Sequence, residues 1–87
     1  MALDKILKNK LERAIVRFFH ENQTAIDTPR GIATWVKAER PAVKAALDKL
    51  VRAGILLEDR VSSTTGYSYT GDKKLIREIG KRLKGKL

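Results

Sequence analysis

Arg40, Lys44, Lys49 and Arg52 recur within one stretch, AERPAVKAALDKLVRAGI (residues 38–55), whose Val43, Ala46, Leu47 and Leu50 keep helical spacing. The cations fall off that apolar stripe, and Pro41, Ala42 and Ala45 lie among them. A helix that only packs a core needs neither small residues nor positive charge on its outer face. A helix lying against a polyanion uses both, because short side chains let its backbone come close and cations meet the negative charge. Asp48 interrupts the series and, at four-residue spacing, is set to pair with Lys44 or Arg52. A second basic set, Lys73, Lys74, Arg77, Lys81, Arg82, Lys84 and Lys86, surrounds an apolar stripe near the C-terminus.

Other chemistry is missing. The sequence holds no carboxylate pair, no nucleophile beside a base, no glycine-rich phosphate loop and no metal-ligand spacing. Its one histidine, His20, falls near the end of the first helix, where positive charge is favourable. There are no cysteines, which excludes disulfides and thiolate metal sites. The expectation is a binding protein and not an enzyme, with no cofactor, no metal and no small-molecule site.

The chain has 87 residues and a formal net charge of +9, from 19 Lys and Arg against 10 Asp and Glu. That length suits one small domain over residues 1–87. The charge attracts anions, of which nucleic acid and anionic lipid are the usual candidates. It is unevenly spread: about +2 over residues 1–21, about +3 over 22–53, about −1 over 54–70 and about +5 over 71–87. No stretch approaches the roughly 18 apolar residues that a membrane span requires. The opening MALDKILKNK lacks the apolar run of a secretory signal. No membrane partner is expected, and a cytoplasmic, nucleoid-associated location follows by default.

The elements that must hold these side chains are mostly helical. Leu3, Leu7, Leu11, Ala14, Ile15 and Phe18 predict one helix over residues 3–21. Ala25-Ile26 is a very short extended piece. Thr28-Pro29 opens a helix to about residue 37, with threonine as its cap and proline in its first turn. Trp35 is expected to pack half-buried between helices. Pro41 starts the next helix, which Gly54 ends at residue 53. Residues 55–70 read as a hairpin, with a turn over residues 62–66 and Tyr67 and Tyr69 alternating on the second strand. A last helix runs over residues 72–84, with Leu75 or Ile76, then Ile79 and Leu83, inward and Gly85 at its end. The fold class is α+β, mainly α: a three-helix core, a two-stranded hairpin and a C-terminal helix.

This order, and the series Ile32-Ala33, Val36, Ala38, Val43, Leu47, Leu50 and Ala53-Gly54-Ile55, resembles the winged helix-turn-helix regulators of bacteria and archaea. The match is ungapped over about residues 26–57, and Tyr67 to Asp72 look like a wing strand returning into a final helix. The resemblance implies double-stranded DNA as partner, with the helix of about residues 40–53 in the major groove. Arg40, Pro41, Lys44 and Ala45 would then face base edges, Arg40 with a planar fork that fits guanine O6 and N7. Lys49 and Arg52 would meet phosphates, as would Thr28 and Arg30 at the preceding helix N-terminus and Ser62, Ser63 and Thr64 in the wing. The C-terminal helix, through Ile76, Ile79 and Leu83 with Lys73, Lys74 and Arg77 beside them, has three readings: a core helix with a solvated basic face, a homodimer seam, or a contact with DNA or, least of all, a membrane.

Two positions depart from the pattern. Lys37 stands in the turn where glycine is usual, and Glu39-Arg40 replace the serine or threonine cap. The wing holds Glu58 and Asp59 against Arg60 alone. These acids keep open a second reading, a protein-interaction adaptor whose basic surface meets an acidic partner.

Overall fold

The apolar stripe of the first nineteen-odd residues is unbroken, yet the backbone is not. In the computed structural model, which describes residues 3–84 (backbone only at residue 61), α1 spans Leu3–Lys8 and α2 spans Lys10–Glu21. Asn9 separates them in an extended conformation, and its Oδ1 accepts a 2.9 Å bond from the amide of Glu12. The one helix expected over residues 3–21 is therefore two. The stripe persists across the break because Leu3, Ile6 and Leu7 of α1 and Ile15, Val16 and Phe19 of α2 enter the same core.

The chain continues through β1 (Ile26–Asp27), α3 (Pro29–Val36), α4 (Arg40–Arg52), β2 (Leu56–Val61), β3 (Thr64–Tyr69) and α5 (Lys73–Lys84). β1 pairs antiparallel with β3, so the expected two-stranded hairpin is the larger part of a three-stranded sheet in the order β1-β3-β2. Val61 faces Thr64 across the ladder, which shortens the expected five-residue turn to Ser62-Ser63. Ser62 takes a positive φ of 55°, as the first residue of a primed hairpin turn does. The expected helix end at Gly85, and Lys86, lie outside the described residues.

One core gathers the five helices and the two wing strands around α2 and α4. Phe19, Ile32, Val43, Leu47, Leu50, Ile55, Leu56, Tyr67 and Ile79 are all essentially inaccessible to solvent. α2 packs on α1, α3, α4 and α5, so it is the layer between the helix-turn-helix and the C-terminal helix. α4 stops sharply because Gly54 adopts φ 79°. The amide of Gly54 then bonds Val51 O at 3.0 Å, and that of Ile55 bonds Leu50 O at 3.0 Å. That closure delivers Ile55 and Leu56 into the core at the first step of the wing.

Candidate nucleic-acid interface

The short turn between α3 and α4 sets how the second helix is presented. Lys37 occupies the left-handed region at φ 56° and ψ 50°, and Ala38 N bonds Ala33 O at 3.1 Å. The sequence thus holds a lysine where glycine would be relaxed. Glu39 precedes α4 in extended conformation but makes no side-chain bond to the helix amides, so the carboxylate cap that its position suggested is not formed. Val43, Ala46, Leu47 and Leu50 bury the inner face of α4. Arg40, Pro41, Ala42, Lys44 and Ala45 lie exposed on the outer face.

The cations of α4 divide into two kinds. Arg40 and Arg52 form no ion pair among the described residues. Lys44 and Lys49 are tied to the protein. Lys44 Nζ lies 2.7 Å from Asp48 Oδ1 and 3.1 Å from the Tyr67 hydroxyl, and 5.8 Å from the centre of the Tyr67 ring. The Tyr67 hydroxyl in turn donates to Glu58 Oε2 at 3.3 Å. The bond to Asp48, reinforced by Tyr67, raises the Lys44 ammonium above the usual lysine range. Burial raises the Tyr67 phenol, an effect that Lys44 partly offsets. This chain of contacts joins α4 to both wing strands. Lys49 Nζ points to Glu12 Oε2 at 3.4 Å, a carboxylate on α2 that is otherwise buried. Removing Lys49 would leave that buried charge without its counter-ion.

The N-terminus of α3 is also partly occupied. Thr28 Oγ1 accepts from Gly31 N at 3.1 Å, and Asp27 Oδ1 accepts from Thr28 N at 2.8 Å. The Asp27 carboxylate sits so close to Gly31 that a β-carbon there would run into it. A phosphate approaching these amides meets a carboxylate already in place, while Arg30 beside it is exposed. Ser62, Ser63 and Thr64 form the exposed tip of the wing.

One expectation is corrected. Trp35 is 68 % exposed, not half-buried: its ring lies 5.9 Å from that of Phe18, tilted by 30°, and most of its surface stays in solvent. Ile79 and Leu83 are buried against α1 and α2 within the chain, the packing that the first of the three readings of this helix describes. Ile76 is half-buried, and Lys73, Lys74 and Arg77 are exposed. Sequence reasoning missed Glu12, Asp27 and Tyr67 as partners of the interface. Of these only Asp27, directly before the Thr28-Pro29 helix start, carried a local signal.

The described residues include no helix long and apolar enough to cross a membrane. Nor do they include a group of three or more His, Asp or Glu side chains that could hold a metal ion. A helix-turn-helix braced by a small wing sheet and flanked by a C-terminal helix defines a winged helix-turn-helix domain, and this chain has that fold. No protein-family model matches the chain, and no curated protein does. Solved structures do. The antimony-specific transcriptional repressor AntR superposes with a TM-score of 0.77 at 21 % identity, over 93 % of this chain and 70 % of that one. The homodimeric winged helix-turn-helix DNA-binding domain of Mb0332 from Mycobacterium bovis, a possible ArsR-family regulator, gives 0.74 at 19 % identity, over 92 % and 70 %. The type III plasmid segregation protein TubR gives 0.74 at 18 % identity, over 92 % and 81 %.

Proposed function

We propose that this chain binds double-stranded DNA with α4 in the major groove and acts as a small transcriptional regulator. The observation that carries the reading is the leading end of α4. There Arg40 stands exposed with no ion pair among the described residues, beside a low surface made by Pro41, Ala42 and Ala45. Arg40 is the base-reading residue, with Pro41 and Ala45 allowing close approach. Lys44 reaches a base edge only by leaving Asp48 and Tyr67. Arg52, Arg30 and the hydroxyls of Ser62, Ser63 and Thr64 supply phosphate contacts, with Thr28 and Lys49 as weaker contributors because Asp27 and Glu12 already hold them. The likeness in fold to a repressor and to a DNA-binding domain supports the reading. Residues 1–87 act as one unit, non-enzymatic, and a homodimer like that of the Mb0332 domain would match two half-sites about one helical turn apart.

The adaptor reading retains one specific support: Glu39, Asp48, Glu58 and Asp59 place acids on or beside the same surface. A chemical-shift titration with duplex DNA at two salt concentrations separates the two. DNA binding predicts salt-dependent shifts centred on residues 40–52. Arg40→Ala is expected to lower affinity for a preferred duplex by about 1–3 kcal/mol, roughly 5- to 150-fold, and to flatten sequence preference. An Arg40→Ala, Lys44→Ala double variant that binds DNA like the parent would put the groove assignment aside.

A further inference from the structure

The α2–α5 side of the molecule carries a second feature that the DNA reading does not use. Lys73, Ile76, Arg77, Gly80 and Lys81 follow one another at three- and four-residue steps along α5, and together with His20 of α2 they line an open groove. At 1.5 Å per residue, the stretch from Lys73 to Lys81 is about 12 Å long. Gly80 makes the groove floor low. A β-carbon there would come within 3.2 Å of the His20 ring, whose Nδ1 lies 3.1 Å from the Tyr69 hydroxyl. The floor is thus an isoleucine side chain, bare helix backbone and an imidazole, and the rim is cationic.

The acids of α5 are turned to other tasks. Asp72 Oδ1 accepts from the amides of Lys74 and Leu75 at 3.0 and 3.3 Å. Glu78 lies 2.6 Å from Arg82, which also holds Asp4 of α1 at 2.6 Å. Lys81 reaches Glu78 only at 3.8 Å, and Lys73 and Arg77 form no ion pair among the described residues. No carboxylate among the described residues lines the groove. The result is a one-sign field over an apolar strip, on a helix that packs against α1 and α2.

We infer that this groove is a docking site for an acidic, amphipathic segment of a partner protein. Such a segment carries its carboxylates on one face and an aliphatic residue toward the floor, so it matches both features of the groove. A duplex backbone would satisfy the rim but offers nothing to Ile76, Gly80 and the His20 ring. The domain would then hold DNA on α4 and a protein on α5 at once.

The test uses the whole chain, a short helical peptide with a glutamate face and a leucine face, and its glutamine counterpart. The acidic peptide is expected to shift the resonances of His20, Arg77 and Gly80, and the glutamine peptide is expected to bind at least about tenfold more weakly. A Lys73→Glu, Arg77→Glu variant, whose fold is checked by circular dichroism, is expected to lose peptide binding by a similar factor while its duplex affinity changes far less. Arg40→Ala is expected to do the reverse, so this inference and the DNA reading fail separately. The inference is overturned by equal binding of the glutamine peptide, by peptide shifts centred on residues 40–52, by unchanged binding in the charge-reversal variant, or by duplex DNA that shifts the same groove and is lost with it.

Discussion

α4 and α5 both bury an apolar stripe and turn cations to solvent, but they treat those cations differently. On α4 the two central lysines are neutralised from within the protein, Lys44 by Asp48 and Lys49 by Glu12, while the terminal Arg40 and Arg52 form no ion pair among the described residues. On α5 the counter-charges gather on Arg82, Lys81 reaches Glu78 only at 3.8 Å, and Lys73, Lys74 and Arg77 form no ion pair among the described residues. Counting charges along the sequence makes both helices look like polyanion surfaces. Their counter-ions separate them: α4 offers a braced, low face with one leading arginine, and α5 offers field strength over an apolar strip.

The largest effect expected from this comparison lies beneath it. Leu47→Ala, at an inner position of α4 with no solvent access, is expected to cost about 2–5 kcal/mol of stability. Leu83→Ala, at the last turn of α5 and slightly exposed, is expected to cost less. Equal losses in denaturant titrations would mean that the C-terminal helix is as central to the core as the recognition helix.

Alkaline pH tests the braces next. Burial pushes the Tyr69 phenol up to about 12 from its ordinary 10. A group whose pKa is raised on folding contributes its stability in full below the unfolded value and loses it as pH passes the folded one. The Tyr69 contribution, at most about 2–3 kcal/mol for a shift of that size, is therefore present below pH 10 and lost between pH 10 and 12. Lys44, also raised, weakens in the same sense as it deprotonates. Denaturant melts from pH 8 to 12 should show that decline, and Tyr69→Phe should remove much of it.

Asp48→Asn unties Lys44 and deletes a negative charge from the proposed DNA face. It is expected to raise duplex affinity by about 1 kcal/mol and to steepen the salt dependence by up to about one unit of slope. A weaker complex would show that the Lys44–Asp48 pair itself is what the DNA reads. The smallest effect belongs to the turn that joins the two motif helices. Lys37→Gly relieves a left-handed lysine and is expected to stabilise the fold by about 0.5–1 kcal/mol in thermal melts, with duplex binding unchanged.

Much of the fold was legible because its cues are local. Thr28-Pro29 and Gly54 mark helix ends through backbone chemistry that the sequence carries on its own, and the stripes of Val43, Leu47 and Leu50 or of Ile79 and Leu83 identify inner faces by spacing alone. The break at Asn9 was hidden because an apolar stripe can continue across two helices that share one core. β1 was seen only as extended, since two residues gain strand identity from β3, some forty positions later in the chain. Trp35 was misplaced for a related reason: helical spacing says which side of α3 it occupies, but not whether anything covers that side.

What the sequence determined by itself was therefore the order of helices and wing, the inner face of each helix and a surplus of positive charge, because propensity, capping and periodicity act within a few residues. Only the tertiary structure decided which of those charges remain available. Glu12 reaches Lys49 across thirty-seven positions, Tyr67 reaches Lys44 across twenty-three, and Asp4 reaches Arg82 across seventy-eight. A charge is neutralised by whatever the fold sets within about 4 Å of it, and no local reading of the chain contains that distance.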